Sequence, residues 1–210
     1  MARDGRTSGN GTDGQSTNGN GPDAGDPVFR ILVVCTGNIC RSAAAEQALR
    51  EEFAARAGRV GAPRIEVASA GTGAVVGHDV HPLTAAAMRG HELTPATHVA
   101  RQLTAEQVQE ADLVLAATRY HRQAVRDLVP EADGRVFTLR EFARVAGREA
   151  PAGDPWRVVE RAGAERRTAP AVSAREDDVD DPITGGASDH GRAVGEIVVA
   201  ARACADALRG

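Results

Sequence analysis

The sequence predicts an α/β fold, a three-layer sandwich in which a small parallel sheet of about four strands is flanked by helices. Three observations predict it. Short, wholly apolar runs such as Ile31–Cys35 and Leu113–Ala117 suit strands buried on both faces. Between these runs apolar residues recur at helical spacing. Strands also alternate with helices along the chain, which implies right-handed crossovers between parallel neighbours.

The elements follow in order. After the strand Ile31–Cys35, the residues Ala45, Ala48, Leu49 and Phe53 mark one face of a helix that Gly58 is placed to end. Ile65–Ala68 reads as a second strand and Pro82–Arg89 as a helix. Thr104 with Gln107 forms a capping-box pattern before a short helix. Leu113–Ala117 is the third strand, followed by a helix through Val125 and Leu128. Arg135–Phe137 is the fourth, and Thr138 with Glu141 caps the helix after it. Ala187–Leu208 closes the chain as a long amphipathic helix.

Two regions break this rhythm. Residues 1–27 are almost entirely Gly, Asn, Thr, Ser, Asp and Pro, too few apolar groups to offset ordering entropy, and read as a disordered tail. Residues 144–178 are rich in Arg, Ala, Glu and Pro. There Asp154-Pro155 is suited to cap a short helix carrying Trp156 and Val159 as a flap, and the rest reads as a long exposed loop inserted in the domain. The division predicted is a tail over 1–27 and one domain over 28–210.

Composition excludes several roles. A net charge of −4 argues against general affinity for nucleic acid or acidic membrane surfaces. No segment reaches the roughly twenty apolar residues of a membrane span, and no apolar run follows the basic residues near the N-terminus as in a secretory signal. Three cysteines make no disulfide framework, and free thiols in a reducing cytoplasm are the natural reading.

The chemistry concentrates in the turn after the first strand. The loop Cys35-Thr36-Gly37-Asn38-Ile39-Cys40 ends at Arg41, and a helix begins at about Ser42. Such a loop aims successive backbone N–H groups at one point, which favours an oxyanion. Gly37 permits close approach and positive φ, and Asn38 tolerates the left-handed region too. Arg41 adds a planar fork for two phosphate oxygens. The same positive field favours Cys35 as a thiolate, a nucleophile placed beneath a bound phosphate. Ser42 is positioned to donate a hydrogen bond to that sulfur as it leaves. Two cysteines five apart also suit half of a metal site, but the sequence near them offers no second cysteine pair or histidine pair to complete it, and two inert buried thiols are the other plain reading.

The segments VCTGNICRSAAAE, ASAGTGA, HVARQLT, ADLVLAATRYHR and DDPITGG together resemble the low-molecular-weight protein-tyrosine phosphatase family over nearly all of 29–209 outside the 144–178 stretch. The resemblance implies that family's fold and a phosphotyrosine-containing protein as substrate, hydrolysed with no cofactor and no metal. It implies a phosphocysteine intermediate on Cys35, with Arg41 binding the phosphoryl group. Asp181 matches the acid that protonates the leaving phenolate and then activates water. The backbone and side chains of Thr36, Gly37, Asn38, Ile39, Cys40 and Ser42 match the phosphate-binding loop. Ser69 and His98, with Asn38 and Ser42, match the network that holds it. Cys40 matches a second cysteine able to trap Cys35 as a reversible disulfide. Asp180 is secondary to Asp181, and Asp79 and Arg101 are expected to stabilise the fold.

Some positions depart from the family's pattern. Aromatic groove walls are replaced by Val75 or Val76 and by Ile183 and Thr184. Aliphatic walls still sandwich a phenyl ring but lose a stacking preference of about 0.5–1.5 kcal/mol. Ile39 stands where a threonine marks phosphoarginine phosphatases. Arsenate reductases of this fold need a further cysteine pair, whereas the only other cysteine is Cys204. A binding module without turnover would lack Cys35, Arg41 or Asp181, and all three are present.

Overall fold

The computed structural model describes residues 27–56, 62–147 and 154–209. The tail expected over 1–27 lies outside them except for Pro27, and so does Gly58.

Four parallel strands form one sheet in the order β2-β1-β3-β4. They are β1 (Val28–Cys35), β2 (Arg64–Gly71), β3 (Leu113–Ala116) and β4 (Val136–Thr138). β1 is central: Cys35 pairs with Gly71 on one side, and Val34 pairs with Ala116 on the other. Period-two alternation divides its apolar run between two cores. Phe29, Ile31 and Val33 join one cluster with Leu49, Phe53, Phe142 and Ile197. Leu32 and Val34 join the other with Ala70, Val114, Val125 and Val136.

Helices cover both faces, as an all-parallel sheet requires. On the first lie α1 (Arg41–Ala55), α2 (Pro82–Gly90), α5 (Leu139–Ala146) and α8 (Ala187–Arg209). The second is covered by α3 (Ala105–Glu110), α4 (Arg119–Leu128) and a 3-10 turn at Pro130–Arg135. Both expected capping boxes form, Thr104 with Gln107 at α3 and Thr138 with Glu141 at α5. These features match the α/β, three-layer prediction.

The 144–178 stretch corrects the sequence reading. Past residues 148–153 it is mostly helix, not exposed loop: α6 (Pro155–Thr168) and a short α7 (Ala174–Asp177). The Asp154 carboxylate accepts from the amides of Trp156 and Arg157, as the Asp-Pro signal suggests. The helix is 14 residues long and buries Val158, Val159 and Ala162 in the main core. Trp156 meets Phe29 edge-on, with ring centroids 5.4 Å apart. Arg166 supplies anchorage that an apolar pattern cannot show: it stacks on the Phe137 ring at 4.8 Å and donates to the carbonyls of Val136 and Asp133. At the end of α7, buried Asp177 accepts from Arg119 and Arg144 and so fixes the approach to Asp181.

Candidate active site

The sheet's central strand ends at Cys35, and the loop to α1 wraps around a point above its C-terminal edge. All six carbonyls from Cys35 to Cys40 are engaged away from that point. Those of Cys35, Thr36, Gly37, Ile39 and Cys40 accept from the amides of Thr72, Gly73, Val75, His81 and Ala44, and that of Asn38 accepts from His98 Nε2 at 2.6 Å. In a trans peptide the N–H opposes the C=O, so the loop's amides turn inward. An oxyanion is the ligand such a cradle fits. The strap that takes these carbonyls passes so close that a Cβ on Gly71 would sit 2.3 Å from the Thr36 carbonyl oxygen. Glycine is required there.

The loop's left-handed residue is Asn38, at φ 56°. Gly37, expected to share that conformation, does not. Asn38 is fully buried and held by every polar atom of its side chain. Its amide donates to Ser42 Oγ at 2.9 Å and Ser69 Oγ at 2.7 Å, and its Oδ1 accepts from the Arg101 amide at 2.9 Å. The Ser69 hydroxyl donates a hydrogen bond to Glu46 at 2.5 Å, and Glu46 is closed by Arg50. Because Ser42 Oγ accepts from Asn38, its hydrogen is free for Cys35 Sγ, 3.0 Å away. The chain of bonds is therefore directed, ending on the sulfur.

Arg41 opens α1 and is only 5% exposed. Its Nη2 lies 2.6 Å from the Asp181 carboxylate, its Nη1 donates to the Val179 carbonyl at 3.3 Å, and its buried Nε has no partner. An orphaned guanidinium N–H beside a ring of inward amides is a donor kept for a ligand. Asp181 reaches the loop from the α7–α8 connection, where the Ile183 amide also donates to its carboxylate. Val179, two residues before it, is pinned by its amide to the Ala117 carbonyl at 2.9 Å.

The predicted residues Cys35, Thr36, Gly37, Asn38, Ile39, Cys40, Arg41, Ser42, Ser69, His98 and Asp181 thus come together at one place. Arg101 belongs with them: besides Asn38 it serves the Ser69 carbonyl through Nε at 2.7 Å. Asp79 instead accepts from the amide of Val80. The rim carries exposed Val75, Val76 and Ile183.

Sequence reading missed three groups. Glu46 ends the network, and its signal was a carboxylate on the helix face that also carries Ala45 and Leu49. His121, 2% exposed, bonds Thr36 Oγ1 through Nε2 at 2.9 Å and Thr118 Oγ1 through Nδ1 at 2.7 Å. Burial, and then the Arg41 cation, lower its pKa to about 4, so it is neutral near pH 7. Third, a histidine pair does stand beside Cys40: His81 and His190 stack with centroids 4.9 Å apart. Their sequence distance from Cys40 hid them. Burial pushes the Cys40 thiol up, against a hydrogen bond from Thr84 that lowers it.

Comparisons with known proteins agree with this geometry. The family model described as low molecular weight phosphotyrosine protein phosphatase matches residues 30–165. The low molecular weight protein-tyrosine-phosphatase Wzb of Salmonella typhimurium is 38% identical over 128 residues, 61% of this chain and 77% of that protein. A probable low molecular weight protein-tyrosine-phosphatase, EpsP of Ralstonia nicotianae, is 36% identical over 55% of this chain and 73% of its own. Among solved structures, the YwlE arginine phosphatase from Geobacillus stearothermophilus superposes with a TM-score of 0.62 at 27% identity, covering 85% of this chain and 91% of that one. The chain belongs to the low molecular weight phosphotyrosine protein phosphatase family.

Proposed function

We propose that this protein hydrolyses phosphotyrosine in protein substrates through a phosphocysteine intermediate, with residues 28–210 as the catalytic unit. The observation that carries the reading is the convergence of Cys35 Sγ, the orphaned Arg41 Nε and the Asp181 carboxylate around one ring of inward amides.

The loop amides and Arg41 bind the three non-bridging phosphoryl oxygens, whose charge they continue to match as the transition state forms. The Cys35 thiolate attacks phosphorus. As the bond to the leaving oxygen breaks, protonated Asp181 delivers its proton to that oxygen. In the second step the Asp181 carboxylate takes a proton from water, the oxygen attacks phosphorus, and the P–S bond breaks. Ser42, whose hydrogen points at Sγ, stabilises the departing thiolate. No cofactor enters the scheme. Cys40, in the same loop, traps oxidised Cys35 as a disulfide.

The reading of tyrosine as the substrate rests on Ile39 in the loop and on the apolar rim beside it. Val75, Val76 and Ile183 provide aliphatic walls in place of aromatic ones. A cytoplasmic location belongs to the same proposal and rests on three free thiols. The deciding experiment compares matched phosphotyrosine, phosphoserine and phosphoarginine peptides. A kcat/KM highest for phosphotyrosine is expected, and a preference for phosphoarginine would overturn the substrate assignment while leaving the covalent mechanism standing.

A further inference from the structure

At the end of the oxyanion loop, Cys40 faces two histidines from distant elements. His81 precedes α2 and His190 lies in the first turns of α8. One ligand atom from each of the three residues lies within 4.8 Å of the other two. His190 is fully buried and its Nε2 has no hydrogen-bond partner; His81 is half-buried, but its Nδ1 is itself shut off from solvent and likewise unpartnered. Two imidazole nitrogens shut off from solvent and left unpartnered beside a thiol are costly unless a ligand satisfies them.

We propose that Cys40, His81 and His190 bind a thiophilic divalent cation, of which zinc is the best match. One sulfur and two imidazole nitrogens are a donor set suited to zinc, with the fourth tetrahedral position left to water. The surroundings already orient these donors. His190 Nδ1 and Thr84 Oγ1 are 2.8 Å apart, and Thr84 also hydrogen-bonds the Cys40 sulfur. With Nδ1–H donating to Thr84, the lone pair of His190 sits on Nε2, the unpartnered atom. A hydroxyl that fixes a histidine tautomer in this way is the kind of outer support metal sites use. Zinc–nitrogen bonds of about 2.0–2.1 Å and a zinc–sulfur bond of about 2.3 Å place the donors roughly 3.3–3.6 Å apart. The site therefore closes by about 1 Å on loading, and the two rings tilt from their present 10° interplanar angle. The Cys40 thiol releases its proton to solvent as the metal–sulfur bond forms.

Location gives the site its consequence. Cys40 is the last residue of the oxyanion loop, and the His81 amide is bonded to the Ile39 carbonyl at 2.8 Å. Metal would clamp the loop to α2 and α8 and occupy the sulfur that otherwise closes a disulfide with Cys35. The site is thus a switch between a metal-held and an oxidisable Cys40, separate from turnover itself.

The test uses the full chain, reduced and stripped of metal. Zinc titration by calorimetry is expected to give one site per chain, and cobalt a thiolate charge-transfer band with tetrahedral d–d absorption. Cys40→Ser, His81→Phe and His190→Phe should each weaken binding at least tenfold, while Cys35→Ser binds as wild type. Zinc should raise the Tm of the wild type and leave that of His81→Phe unmoved, and His190→Phe keeps its hydrolytic activity in chelator. Absence of one-to-one binding overturns the proposal. So does binding that is lost in Cys35→Ser but kept in Cys40→Ser, which would place the metal on the nucleophile.

Discussion

The Asp181 carboxylate lies 2.6 Å from Arg41 Nη2, so the proton donor of the proposed reaction and its phosphate-binding cation are paired with each other in the resting site. Arg41 is buried in this pair and Asp181 is 43% exposed, so the aspartate is the partner free to swing away. An incoming phosphoryl group must displace it. The displacement moves the carboxyl from the guanidinium toward the leaving oxygen.

Asp181→Asn should therefore have two opposite effects. On phenyl phosphates with poor leaving groups, kcat should fall by about 10²–10⁴, with a smaller loss on activated esters that need little acid help. Inorganic phosphate or vanadate should bind more tightly, because Arg41 no longer has an anionic competitor. Asp180→Ala should be far milder. Steady-state kinetics with a leaving-group series and an inhibition constant for vanadate read both effects, and equal losses in the two variants would reassign the acid.

Cys35→Ser should abolish turnover of para-nitrophenyl phosphate and keep phosphate binding, since the amides and Arg41 remain. Residual turnover near wild type would refute the covalent intermediate. In the wild type, EDTA should leave kcat unchanged, because no step of the chemistry uses a metal.

Peroxide should convert Cys35 to a sulfenic acid that Cys40 then attacks, giving a Cys35–Cys40 disulfide reversed by dithiothreitol. Since burial raises the Cys40 thiol, closure should quicken as pH rises. Cys204 takes no part: it is fully buried and its thiol is pushed far up by desolvation. Cys40→Ser should be inactivated at a similar rate but recover less on reduction. Peptide mass mapping that finds no Cys35–Cys40 link in the wild type would leave Cys40 without a protective role.

Asn38→Gly tests the loop's scaffold. Glycine accepts the positive φ, so backbone strain is not the issue, and the cost comes from stranding Ser42, Ser69 and the Arg101 amide. Each buried group left unpaired costs roughly 1–3 kcal/mol. The variant should lose stability on this scale and kcat more than KM, as Ser42 loses its orientation toward Cys35. Denaturant melts and kinetics check it. A variant with wild-type kcat would mean that the network serves folding alone.

His121 sets a pH dependence. Its folded pKa of about 4 lies below the ordinary 6.5, so between these values the unfolded chain binds more protons than the folded one. Stability should rise with pH across that window, be complete above about 6.5, and be lost toward pH 4. The difference is on the order of 2–3 kcal/mol. His121→Gln should flatten this slope when denaturant midpoints are measured at pH 4.5 and 7.5, and an unchanged slope would reject the assignment.

What the sequence displays is what is local. The loop from Cys35 to Arg41, the strands and the two capping boxes are each written in a few adjacent residues, and they form as expected. Glu46, His121 and the His81–His190 pair escape because their meaning lies in contacts between elements far apart in the chain. The start of the helix Pro155–Thr168 is signalled by Asp154-Pro155, but its full length and burial escape for another reason. Part of its anchorage is Arg166 on an aromatic face and two carbonyls, which an apolar periodicity does not register. The positive φ fell on Asn38 rather than Gly37 because side-chain bonds, not steric freedom, select that conformation here.

The central position of β1 has a bearing on how activity is lost. Cys35 is paired with β2 and follows directly on residues paired with β3, so exposing it means parting the strand that holds both halves of the sheet. Amide hydrogens of Val33 and Val34 should accordingly exchange only through global opening. Asp181 hangs on a connection fastened by the Val179 amide and carbonyl and by Asp177, a far smaller cooperative unit. In rising denaturant the acid's tether should detach first. The molecule would then pass through a form that still attacks activated esters but turns over poor leaving groups slowly, before the sheet itself gives way.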